Sequence, residues 1–159
     1  MKGETIDLWV PGRPEMMLVV RLSTAGVLAR SGLTIEAMED VKMAAEEACG
    51  CLIRGWGCGR LHIGYQLSQG QFTMWVEARD WGADCAGVSD QEACMTRCVL
   101  LSMMDQAELC YEDGRLTAIR MGKLLPMPVY PVPSNTYMGI HITPTVDGNV
   151  TVGPDAENT

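Results

Sequence analysis

Basic residues are scarce in this sequence. Lys and Arg number 12 against 20 Asp and Glu, and the net charge is −8. Proteins that grip DNA or RNA use Lys and Arg to displace counterions from phosphates, so direct nucleic-acid binding is disfavoured. Attraction to an anionic membrane surface is disfavoured on the same ground. Long apolar runs are missing as well. Met1-Lys2-Gly3-Glu4-Thr5-Ile6-Asp7 carries acids where a signal peptide needs an apolar stretch, and nothing in the chain approaches a membrane span in length. The expected compartment is the cytoplasm. The 7 cysteines include no Cys-x-x-Cys pair, and an odd count without an export signal argues against a disulfide framework. Internal repeats are absent. Protein partners and small ligands remain as the classes of ligand to expect.

What is present suits one folded domain. A chain of 159 residues, 47% hydrophobic and 20% charged, is long enough to bury a real core. Residues 5–10 alternate and end at Pro11, which predicts a first strand. Pro14 then opens a helical pattern that should stop at Ser31-Gly32. Thr34 reads as the N-cap of a second helix, with Glu36 in its first turn. Met38, Val41, Ala45, Ala48 and Leu52 give that helix a buried stripe before it dissolves into Gly55-Trp56-Gly57-Cys58-Gly59. Strands are expected over 60–68 and 71–80, joined at Gln69-Gly70, followed by a loop over 81–91. Residues 92–105 predict a third helix, with Met95, Val99 and Met103 as the stripe that packs on its neighbour. Strands over 107–112 and 115–123 pair across Asp113-Gly114.

This order predicts an α/β fold, a two-layer sandwich with a mixed, mainly antiparallel sheet and helices on one face, over residues 5–125. The tail, 126–159, holds six of the 8 prolines and neither Lys nor Arg. It reads as an extended segment with a hairpin over 138–152 across Asp147-Gly148.

Several short motifs recur in a telling order. The second helix contains Glu46-Glu47-Ala48-Cys49-Gly50-Cys51, and the following hairpin ends in Arg79-Asp80-Trp81-Gly82. Met104-Asp105 precedes the last two strands, which carry Gly114 and Thr117 through Leu125. Over residues 5–125 this set resembles the anti-sigma-factor serine kinases, a bacterial branch of the GHKL (histidine-kinase-like) ATPases. In that family the helix reads Glu-Ala-x-x-Asn, the strand ends in Asp-x-Gly, and a Gly-x-Gly lid lies before the Met-Asp.

The resemblance implies roles for particular residues. Glu47 would orient or deprotonate an attacking hydroxyl, and Asp80 would accept a hydrogen bond from an adenine amino group beside Gly82. Glu47 and residue 51 stand four apart, so both project from one helix face. The family places an asparagine at residue 51, whose oxygen holds Mg²⁺ against the triphosphate. Cys51 stands there instead, and a thiol is a poor ligand for a hard cation. The two lid glycines fall on Cys94 and Thr96, where the backbone cannot wrap phosphates as readily.

The expected function is therefore an anti-sigma-type regulator that binds a sigma factor or an anti-anti-sigma protein. ATP is expected to bind weakly, Mg²⁺ poorly, and a homodimer is compatible with the family. The runner-up is an active Mg-ATP-dependent serine/threonine kinase acting on such a partner. A third reading is a metal or redox sensor built on Cys49, Cys51 and Cys58 near His62, or on Cys94 and Cys98 one helical turn apart. Plainer readings stand beside these. Glu47 is also what a solvated helix acid looks like, Asp80 with Gly82 suits a turn, and free cysteines often fill cores as small apolar groups.

Overall fold

The computed structural model describes residues 4–57 and 59–126, together with two short strands at 142–144 and 150–152. Strand β1 (Thr5–Pro11) leads through a single 3₁₀ turn at Pro14–Met16 into helix α1 (Met17–Leu28). Helix α2 (Ile35–Trp56) follows, then strands β2 (Arg60–Ser68) and β3 (Gln71–Arg79). Helix α3 (Asp90–Met103) and strands β4 (Gln106–Glu112) and β5 (Arg115–Leu124) complete the domain. The sheet runs in the order β1-β2-β3-β5-β4, and every pairing in it is antiparallel. Helices cover one face, so the molecule is a two-layer α/β sandwich.

Alternation along the strands decides which side chains enter the core. On β3, Phe72, Met74, Val76 and Ala78 are buried, while Thr73, Trp75 and Glu77 stand between them. On β2, Leu61 and Ile63 are buried and His62 is not. Helix α2 is the centre of the helical layer, with α1 and α3 packed on either side and β3 and β5 beneath it. Its expected stripe is present: Val41, Ala45, Ala48 and Leu52 are fully buried, with Met38 half-buried at the rim. Each large core side chain, such as Phe72 or Leu52, contributes about 1.5–3 kcal/mol by leaving water.

Local chemistry sets the element ends. The Thr34 hydroxyl accepts from the Ala37 amide at 3.2 Å, capping α2 as its sequence suggests. Gly57 takes a positive φ of 70° just beyond the last turn. Asp113 and Gly114 both have positive φ, 50° and 75°, as the tight turn between β4 and β5 requires.

Two expectations need correction. Helix α1 stops at Leu28, three residues before Ser31-Gly32. More consequential is α3, which begins at Asp90 under a Ser89 cap and buries Ala93, Thr96, Leu100 and Met103. Met95 is 64% exposed and Val99 39%, so the expected Met95–Val99–Met103 stripe is wrong at two of its three positions. At 100° per residue, Met95 and Val99 lie roughly 80–120° round the helix from the buried line. The small Ala93 and Thr96 face inward instead. In the tail, β6 (Ile142–Pro144) pairs antiparallel with β7 (Val150–Val152). The rest of the expected 138–152 hairpin, including its Asp147-Gly148 turn, lies outside the described residues.

Candidate functional site

Where α2 meets α3, three of the singled-out residues come together. Glu47 and Cys51 project from one face of α2, toward Thr96 on the buried line of α3. The Thr96 hydroxyl donates to Glu47 Oε1 at 3.4 Å. The same carboxylate oxygen lies 3.6 Å from Arg54 Nη2, and Arg54 Nε donates to Glu92 Oε1 at 2.8 Å. Cys51 is fully buried. Burial pushes its thiol pKa up, and the neighbouring Thr96 hydroxyl partly offsets this. Arg54 and Glu92 were not expected here. The available signal was Arg54 standing two turns beyond Glu47 on the same helix.

Asp80 and Gly82 occupy a different place, the loop that leaves β3. Asp80 has a positive φ of 56° and a side chain 58% exposed. Its Oδ2 accepts from Arg60 Nε at 2.6 Å, with Arg60 Nη2 equally close. Trp81 packs on Trp56 with ring centroids 4.4 Å apart, tilted by 34°. The loop then docks along the end of α2: the Cys85 thiol donates to the Trp56 carbonyl at 2.8 Å, and Gly87 donates to the Gly55 carbonyl at 2.9 Å. Gly55 is needed for this approach, because a Cβ there would lie 2.4 Å from Val88. At Gly82 a Cβ would meet nothing within 4 Å, so the space above its backbone is open. Glu47 lies nine residues before Trp56, about 13 Å along the helix axis. Among the described residues no contact joins Glu47 to Asp80.

The Met104-Asp105 pair has a structural task. Met104 is buried, and the Asp105 carboxylate accepts from the Leu124 amide at 2.6 Å, tying the end of α3 to β5.

On the sheet face away from the helices lies a cluster that sequence reading did not foresee. His62 sits between two carboxylates, Nδ1 at 2.7 Å from Glu77 and Nε2 at 2.7 Å from Asp7. Trp9 stacks on its ring at 4.4 Å, and the Arg60 guanidinium lies 5.0 Å over Trp9. Partial burial alone would lower the His62 pKa; the hydrogen bonds to Glu77 and Asp7 outweigh it and raise the value. Glu77 is lowered, since His62 and Arg79 overcome its own desolvation. The strand register creates this arrangement, pairing His62 with both Trp9 and Glu77.

The cysteines divide by location. Cys49 and Cys51 are buried in the helical layer, and burial followed by Glu46 pushes Cys49 up to about 12. His62 belongs to the other face of the sheet, so the Cys49–Cys51–His62 grouping is not formed. Cys58 lies outside the described residues. Cys94 and Cys98 are both exposed on α3. Among the described residues, no group of three His, Cys, Asp or Glu suits a metal ion, and no helix is long and apolar enough to cross a membrane.

No family model matches the chain. Local sequence similarity does run to proteins named serine-protein kinase RsbW. The protein from Halalkalibacterium halodurans is 46% identical over 46 residues, 29% of this chain and 28% of the relative. That from Bacillus subtilis is 43% identical over 47 residues, 30% of this chain and 29% of the relative. One from Listeria monocytogenes is 42% identical over 45 residues, 28% and 29% of the two chains. The chain thus spans about three-tenths of the length of the curated relatives it matches.

Proposed function

We propose that this protein is an anti-sigma-type regulator that works by binding a protein, a sigma factor or an anti-anti-sigma protein, rather than by phosphoryl transfer. The reading rests on the local similarity to serine-protein kinases RsbW and on a two-layer α/β fold compatible with that family. The observation that carries its non-catalytic half is the state of Glu47. Its carboxylate is already engaged by Thr96 and faced by Arg54, and the neighbouring residue on the helix face is a buried thiol.

The nucleotide implied by the family fits this site in part. Asp80 beside the open backbone of Gly82 suits a planar base, although Arg60 competes for the carboxylate. The phosphate end fits poorly. Residues 94 and 96 lie inside a continuous helix, and Thr96 is turned inward against α2. Magnesium does not fit at residue 51, because a buried thiol with a raised pKa offers no oxygen to a hard cation.

Titration of the purified chain with the sigma factors of its own organism, with and without Mg-ATP, tests the partner reading. A complex whose affinity is unchanged by Mg-ATP is the expected result. Failure to bind any sigma factor or anti-anti-sigma protein would remove the regulatory reading. Release of a partner carrying new phosphoserine would favour the kinase.

A further inference from the structure

The sheet face away from the helices carries a hollow beside the His62 cluster, and small residues set its shape. It measures about 400 Å³, within the range of small-molecule sites, and lies over β5, which runs between β3 and β4. Strand register places Trp75 between Gly64 and Arg120, and Glu77 opposite Ala118. The Trp75 indole lies over Gly64, where a Cβ would fall on its Cε2 and Cζ2 atoms. With the ring drawn over β2, the floor over β5 stays low, because residue 118 offers only a methyl group. A β-bulge between Cys110 and Tyr111 leaves Thr117 without a register partner, and Thr117 joins Ala118 and Tyr111 in the lining.

The walls combine aromatic rings with carboxylates. Trp75 and Tyr111 supply the rings, and Glu77 and Glu112 the carboxylates. Glu77 is held by His62 and Arg79, whereas the Glu112 side chain makes no hydrogen bond or ion pair among the described residues. Arg120 is the basic residue of the lining, and Glu108 faces it across the β4–β5 ladder. The Cys110 thiol reports the balance of these charges. Burial raises its pKa first; Glu108 then raises it, Arg120 lowers it, and Glu77 raises it again. Negative charge therefore prevails on this side of the sheet.

We propose that this hollow binds a small organic cation, a planar amidinium or guanidinium on an apolar body, with Glu112 as its carboxylate partner and Trp75 and Tyr111 as its aromatic walls. Aromatic rings attract such a cation, and its paired N–H groups match the two oxygens of a carboxylate. The apolar body fills the space over Ala118. A net charge of −8 raises the local concentration of cations. An anion drawn to Arg120 would meet Glu77 and Glu112 in the same hollow. A bare metal ion fits no better, since no group of three His, Cys, Asp or Glu suits one among the described residues. The site lies on the opposite sheet face from Glu47 and Cys51, so it stands or falls independently of the regulatory reading.

The test titrates the full chain, labelled with ¹⁵N, with benzamidine, and with benzamide and benzoate as its neutral and anionic counterparts. The expected result is saturable binding of benzamidine in the millimolar range or tighter. Amide shifts should centre on 75–77, 110–112 and 117–120, together with the Trp75 indole N–H. Benzamide should bind at least about tenfold more weakly, and benzoate more weakly still. Glu112→Gln should weaken benzamidine binding by about three- to tenfold. Ala118→Leu, which fills the floor, should abolish it, and Arg120→Ala should strengthen it by about twofold. Spectra unchanged away from the hollow confirm that the variants fold, and Glu112→Gln, at an exposed strand end, carries the test if Ala118→Leu does not. The proposal is overturned if benzamidine does not bind, if its shifts fall elsewhere, or if benzamide or benzoate binds as tightly. It is equally overturned if Glu112→Gln keeps the parent affinity, or if Arg120→Ala weakens binding.

Discussion

The Thr96 hydroxyl on α3 donates to the Glu47 carboxylate on α2 at 3.4 Å, across the seam where the two helices pack. Thr96 is 1% exposed, so this hydroxyl has left water and found its partner inside the protein. Residues 90–103 form one continuous helix, and this contact joins it to α2.

Thr96→Val keeps the shape of the side chain and removes the donor. The expected cost is about 1 kcal/mol of unfolding free energy by urea denaturation, with the helix content unchanged. A variant as stable as the parent would mean that the 3.4 Å contact contributes nothing.

Trp56 joins the end of α2 to the 81–89 loop and to β5. It is 2% exposed, donates from Nε1 to the Leu116 carbonyl at 3.0 Å, and packs against the tilted ring of Trp81. Arg115 lies 4.9 Å over its ring. Trp56→Ala should cost about 3–5 kcal/mol and expose the 81–89 loop to protease. Trp56→Phe retains most of the packing and loses the hydrogen bond, so its effect should be clearly smaller. Equal effects would place the energy in the hydrogen bond rather than in the packing.

The two carboxylates around His62 make stability depend on pH in a stated direction. The folded His62 pKa is raised, so its contribution is complete below the unfolded value near 6.5 and is lost as pH rises through the folded value. Glu77 has a lowered pKa, so its contribution is present above its unfolded value and is lost as pH falls through the folded one. Stability from this cluster should therefore be greatest between the two, at mildly acidic pH. Thermal unfolding across the pH range measures it, and His62→Gln should flatten the fall on the alkaline side. A slope identical in His62→Gln would assign the pH dependence to other groups.

Much of this architecture is legible in the sequence. Thr34, Gly57 and the Asp113-Gly114 turn act locally, through bonds to residues a few positions away, so they read correctly. The strand periods read correctly because one sheet face is dry and the other is not. Helix α3 is different. Its apolar residues lie on two sides, and periodicity alone could not choose between the Met95–Val99 side and the Ala93–Leu100 side. Close packing against α2 chose the line with the smaller residues at its start. The His62 cluster was hidden for another reason. Asp7, His62 and Glu77 are far apart in the chain and meet only through strand register, which no local pattern encodes. The Arg60–Asp80 pair is hidden in the same way, formed where β2 begins and β3 ends.

The proposed regulator acts without Mg²⁺-dependent phosphoryl chemistry, and calorimetric titration with ATP, in the presence and absence of Mg²⁺, tests this most directly. On the proposed reading Cys51 is decisive, because a buried thiol gives a hard cation no oxygen ligand. The expected result is weak binding whose affinity changes by less than about threefold when Mg²⁺ is added, a difference below 0.7 kcal/mol by the usual tenfold-per-1.4 kcal/mol conversion. A gain of about a hundredfold with Mg²⁺ would contradict the account and make the kinase reading the better one.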